Sequence, residues 1–262
     1  MATRKAVAQK KEALPANTID FGADAGGGME GTDRESFAIP FLRVLQKGSP
    51  QVDEDDPGYV EGAKPGMLYN TVTMELFEGD AGVLLLPCAY QRRFLRWAPR
   101  NAEEGFKGEY TVEQIRDMES SGEIQLIERR PYEVRGEETN PEKLDKFSDT
   151  RSHFCILLTD DGPQQVLLAL SSTQIKKSKQ LMSMLSNARI EGKQPPTWMS
   201  KVRCTTVREQ NDEGTWYGVK FTPEGFLEDR ELYDAGKAFY ETIKAGEARV
   251  DYSKGQEDDG AF

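Results

Sequence analysis

The strongest constraint on the fold is a long body of alternating, β-branched and aromatic runs punctuated by tight-turn residues. Residues 153–159 and 164–170 are apolar runs joined through Asp160, Asp161, Gly162 and Pro163, and residues 201–209 and 215–222 are joined across Asn211, Asp212, Glu213 and Gly214. Asp, Asn and Gly tolerate the backbone conformations that reverse a strand, so each pair reads as a hairpin. Residues 67–76, 82–97 and 123–134 read as further strands, and the second of these passes from an apolar run into an alternation of aromatics and arginines. Three stretches have helical spacing instead. Residues 111–120 form a short one. Residues 173–190 place Ile175, Ser178, Met182 and Leu185 on one face, and residues 229–245 start at a capping Asp229, carry Leu232, Gly236, Phe239 and Ile243 on one stripe and stop at Gly246.

About seven strands with a few helices packed against them make a mainly β, α+β fold. That count fits a small, partly open five-stranded barrel with added elements, the oligonucleotide-binding (OB) fold, and it also allows another mixed β-rich sheet. The barrel domain is expected over residues 36–246. Residues 1–35, with Arg4, Lys5, Lys10 and Lys11 followed by a Gly-rich polar stretch, have little to bury and read as a disordered arm. Residues 47–66 read as loop, with Pro50, Pro57, Pro65 and the acidic run Asp53 to Asp56, a solvated turn. The apolar pattern is lost again over residues 247–262, read as a disordered acidic tail.

Composition excludes several functions. The chain has 262 residues, 37% of them hydrophobic, yet no stretch approaches the roughly 18–20 apolar residues that span a bilayer. No apolar segment follows the basic start, so no secretory signal is expected; a soluble protein of the cell interior is expected, with no membrane partner. Cys88, Cys155 and Cys204 are far apart, and His153 is the single histidine. Zinc sites normally need four such ligands, so neither metal nor other cofactor is expected, and the cysteines read as buried thiols. With no P-loop and no nucleophile constellation, the chain does not read as an enzyme.

The net charge of −11 argues against a nucleic-acid partner until its distribution is considered. From residue 87 to 100 there are Arg92, Arg93, Arg96 and Arg100 and no acid; from 173 to 208 eight cations, among them Lys176, Lys177, Lys179, Lys201 and Arg203, stand against Glu191 alone. Such tracks can neutralise backbone phosphates. Both carry aromatics. In an extended strand Tyr90, Arg92, Phe94 and Arg96 share one face, with Arg93 and Trp97 on the other. Trp198 precedes Lys201 and Arg203, and Trp216 stands near Lys220. Rings beside cations are the equipment for stacking single-stranded bases; the plain reading of each ring is a core residue.

The chain closes on Glu257, Asp258, Asp259, Gly260, Ala261 and Phe262. An acidic run tipped by an aromatic resembles the C-terminal tip of bacterial single-stranded DNA-binding proteins, and it is similar to the phenylalanine-terminated tail of single-stranded DNA-binding proteins from short-tailed phages. Gly260 and Ala261 stand where the bacterial tip has an Ile-Pro pair, which favours the phage-encoded class. Residues 39–46, 49–51 and 65–69 are also similar to phage proteins of this class. The resemblance implies an OB-type fold and sequence-independent binding of single-stranded DNA in replication, recombination and repair within the cytoplasm of the bacterial host. It also implies a tail, Glu257, Asp258, Asp259 and Phe262, that regulates binding and recruits replication proteins such as a polymerase or a helicase/primase. Monomer and homo-oligomer both stay open. The alternatives are a phage interaction or assembly protein, or a DNA-mimic inhibitor, neither of which binds single strands.

Overall fold

The computed structural model describes residues 27–31, 38–99, 102, 105–212, 214–248 and 250–252. The chain divides into two units, Met1–Ser36 and Phe37–Phe262. In the first, the described part is a turn in which the Gly28 amide donates to the Glu30 carboxylate (3.0 Å). The rest of the expected N-terminal arm, Arg100, and the tail residues Glu257, Asp258, Asp259 and Phe262 lie outside the described residues.

The second unit holds eleven strands and three α-helices among its described residues. In chain order these are β1 Leu42–Val44, β2 Leu68–Asn70, β3 Leu76–Phe77, β4 Val83–Trp97, β5 Phe106–Tyr110, α1 Val112–Ser120, β6 Ile124–Ile127 and β7 Arg130–Glu133. After them come β8 Lys146–Thr159, β9 Gly162–Ser171, α2 Ile175–Asn187, β10 Ser200–Asn211, β11 Gly214–Phe226 and α3 Arg230–Lys244. Both hairpins expected from turn chemistry are present, β8 with β9 and β10 with β11. All three helices fall where the periodicity puts them. Thr111 and Gln114 cap α1 reciprocally, and the Asp229 carboxylate accepts from the amides of Glu231 and Leu232 to start α3.

Two expected strands are hairpins instead. Within residues 67–76, the Asn70 side chain accepts from the amides of Val72 and Thr73, and Met74 takes a positive φ of 57°. That local ring reverses the chain between β2 and β3. Within residues 123–134, Glu128 and Arg129 both adopt positive φ (51° and 67°) and turn β6 into β7 without the glycine or asparagine that usually marks such a turn.

The barrel is built from β4, β8, β9, β10 and β11. They pair in the order β11-β10-β4-β8-β9, antiparallel throughout, with α2 in the connection from β9 to β10. This is the connectivity of an OB barrel, and the fold is mainly β with added helices. The sheet curls so that Val83 and Leu85, Cys155 and Leu157, Val166, Leu168 and Leu170, Cys204 and Val219 meet in one interior. The outer face of β4, β8 and β9 is covered by α3: Leu86, Phe154, Ile156 and Leu167 share a buried cluster with Phe239 and Ile243. The Phe154 and Phe239 rings meet edge to face at 6.3 Å. Beyond α3 the chain stays on this cluster through Ala248, Val250 and the buried Tyr252.

Between β9 and β11 there is no ladder. β1 lies against β9, with the Leu167 amide donating to the Pro40 carbonyl (2.8 Å). On the other side the Gln46 amide engages both backbone groups of Tyr217: Nε2 donates to its carbonyl (2.9 Å) and Oε1 accepts from its N–H (2.8 Å). Gln174 Oε1 accepts from the Val219 amide (3.0 Å). Side-chain amides thus take the place of a strand, which leaves the barrel partly open at this seam.

Candidate nucleic-acid interface

The arginine-rich strand is β4. Its alternation places Tyr90, Arg92, Phe94 and Arg96 on one face, but the charges there are largely spent inside the protein. Arg92 binds Asp149 of β8 in a two-pronged contact (3.0 and 2.7 Å) and stacks on the Phe94 ring at 5.2 Å. Arg151 shares Asp149 (3.0 Å) and donates to the Tyr90 hydroxyl (2.9 Å). Burial alone would raise the Asp149 carboxyl; the hydrogen bonds from Arg92 and Arg151 outweigh it and hold the group below its ordinary value. Arg96 binds Asp145 and Glu133, each at 2.8 Å, and Asp145, wholly buried, also takes Lys107 at 3.0 Å. Phe94 is buried with Ile115, Ile124 and Phe147 beneath α1. On the opposite face Arg93 is 3.9 Å from Glu109, and Trp97 packs on Phe106 at 5.3 Å.

The second basic block is spread over several surfaces. Lys176 and Lys179 are exposed on α2. Lys177 pairs with Glu209 at 2.7 Å, which also accepts from Trp216 Nε1 (3.1 Å) and Gln174 Nε2 (3.2 Å). Arg203 pairs with Glu224 (2.7 Å), Lys201 is half-buried and Lys220 is exposed on β11. Trp198 packs between Tyr233 and Tyr240 of α3, and an added Cβ at Gly236 would sit 2.9 Å from its own Cβ. This indole docks the last helix onto the barrel. The sequence-predicted set therefore does not converge on one surface.

Two of its members, Trp97 and Trp216, do line a common cleft of about 370 Å³ at the barrel seam. It is lined by β1, the ends of β4 and of β9 with residues 172–174, the starts of β8 and β11, and Tyr252. Arg43, Lys47 and Lys146 line it, together with Thr150, Ser171, Ser172, Thr173 and Thr215. Among the described residues lining it there is no carboxylate, although the chain holds 45 Asp and Glu. Ser172 has a positive φ of 47°, a strained conformation of the kind that collects at ligand clamps. Trp97 is 7% exposed, and its Nε1 has no hydrogen-bond partner among the described residues.

Counting charge along the chain misses Arg43, Lys47 and Lys146 because each is isolated in sequence. Arg43 and Lys47 flank an apolar stretch, and Lys146 follows the buried Asp145. Only the seam brings them together. His153 is buried, with Nε2 2.7 Å from Ser178 Oγ, and burial together with the Arg151 charge pushes it down to about 4. The three thiols are free and buried, and burial pushes Cys88 and Cys204 up to about 12.

No helix among the described residues is long and apolar enough to cross a membrane. No curated protein and no solved structure shows significant similarity to the chain. The family model described as Pam3 phage gp34-like protein matches residues 9–249, nearly the whole length, and the chain therefore belongs to that family of phage proteins.

Proposed function

We propose that this phage protein binds single-stranded DNA without strong sequence preference, during replication, recombination and repair of phage DNA in the host cytoplasm. It acts by binding rather than by catalysis. The observation that carries the reading is the sorting of charge on the barrel: in a chain of net charge −11, the open seam of an OB-type barrel is lined by cations, rings and hydroxyls and by no described carboxylate. Cations there neutralise phosphates, and bases stack on rings whatever their identity. The acidic tail, Glu257, Asp258, Asp259 and Phe262, competes with DNA for the cationic surface and, once displaced, recruits replication proteins such as a polymerase or a helicase/primase.

The test is a titration of the full chain with oligo-dT, followed by tryptophan fluorescence at several salt concentrations. The expected result is quenching, with affinity falling as salt rises by about 0.7 in log K per log salt for each phosphate contact. A flat response at low salt would overturn the reading. It would favour an interaction or assembly protein, or a DNA mimic, to which the net charge of −11 is better suited.

A further inference from the structure

We propose that the seam cleft is a socket for a single nucleotide: one unstacked base enters between β9 and β11, and its flanking phosphates lie on Arg43, Lys47 and Lys146. The inference rests on the single-strand reading above and goes beyond it by fixing where, and how, the strand is held.

Three observations converge. First, the outer face of strands two and three of an OB barrel is where such folds take oligonucleotides; here that face, over Phe154, Ile156 and Leu167, is buried under Phe239 and Ile243 of α3. A strand lying flat across it is blocked, and the barrel is open instead at the seam, where β9 and β11 do not pair. Second, a cleft of about 370 Å³ lies near the lower end of the ~300–1,000 Å³ range of small-ligand sites. That is room for one nucleotide, not for a run of stacked bases, and a base still paired in a duplex cannot enter. Third, the cleft is equipped for a base of any identity. Trp216 and, at its buried side, Trp97 contribute ring atoms to the lining. Stacking against a ring holds a base without selecting a sequence. The strained Ser172 and the neighbouring Ser171 and Thr173 line the same cleft as the three cations.

A base socket and mere backbone tracking respond differently to loss of a base. With the full chain at low salt, an oligo-dT is compared with an abasic oligonucleotide of the same length, and Lys47→Glu/Lys146→Glu with the α2 control Lys176→Glu/Lys179→Glu. The socket predicts about tenfold or greater loss of affinity for the abasic strand, in line with stacking of one base. It predicts a similar loss for the cleft variant and a change within about twofold for the control. Because charge reversal at Lys146 could disturb folding, the wild-type protein is also photocrosslinked to an iodouracil oligonucleotide, and the adduct should map to Trp97 or to residues 215–217. Wild-type affinity in the cleft variant, equal binding of the abasic strand, or an adduct on α2 would overturn the socket while leaving single-strand binding intact. No binding of oligo-dT by the wild-type chain would overturn both.

Discussion

At the scale of the residue, the most consequential single group outside the cleft is His153. It pins β8 to α2 through Ser178 Oγ at 2.7 Å, its ring leans on Tyr90 at 5.1 Å between centroids, and Arg151 stands near enough to oppose a second positive charge. The folded imidazole titrates at about 4, whereas an unfolded histidine titrates near ~6.5. The folded value is the lower of the two, so the unfolded chain takes up the proton first. Stability from this group is complete above the unfolded value and drains as pH falls toward 4, on the order of 3 kcal/mol over that window. Replacing His153 with glutamine keeps a partner for Ser178 and removes the titration. Denaturant midpoints at pH 7 and pH 4.5 should therefore fall further for the wild type than for His153→Gln, and parallel losses would assign acid sensitivity to the carboxylates instead.

At the scale of the element, the seam decides how the barrel behaves, and it is held by side chains. Removing the Gln46 amide leaves the N–H and C=O of Tyr217 without partners in a partly buried setting, at about 1–3 kcal/mol for such groups. Gln46→Ala should lower stability by that amount and speed amide exchange at Tyr217, with no change in the β4–β8 ladder; unchanged exchange at Tyr217 would show that β1 closes the seam by packing alone. The same elements mark how far the sequence could be read. The long strands, both long hairpins and the three helices were legible because their signals lie within a few residues: Asp160 to Pro163, Asn211 to Gly214, Thr111 with Gln114, Asp229. The turns at Asn70 and at Glu128–Arg129 were not, since an Asx ring and two left-handed non-glycine residues look like ordinary strand positions. The Gln46 contact joins residues 171 positions apart, beyond any local pattern. Of the cleft, Trp97 and Trp216 stood out as rings near cations. Arg92 and Arg96 stood out more strongly, yet they are claimed by Asp149, Asp145 and Glu133, acids that only the sheet register brings beside them.

At the scale of the whole molecule, the acidic surplus and the cationic cleft are parts of one charge distribution, and Tyr252 connects them. Its ring is buried against Phe41 and Phe106, its hydroxyl is 2.9 Å from Ser152 Oγ, and it lines the cleft. Glu257, Asp258, Asp259 and Phe262 follow this cleft residue within ten positions of sequence. Ten residues can extend at most ~33–36 Å, so the proposed competition for Arg43, Lys47 and Lys146 would run at the effective concentration of a short linker, in the millimolar range (about 1 mM or more). Competition of this kind is intramolecular and screened by salt. A chain ending after Tyr252 should bind oligo-dT about tenfold more tightly than the full chain at low salt, and the two should converge as salt rises. The cut has to spare Tyr252, because removing a buried aromatic costs about 3–5 kcal/mol and would confound binding with folding. Equal or weaker binding by the shortened chain, with its stability intact, would mean that the acidic segment does not compete for the cleft and that its charge serves another surface.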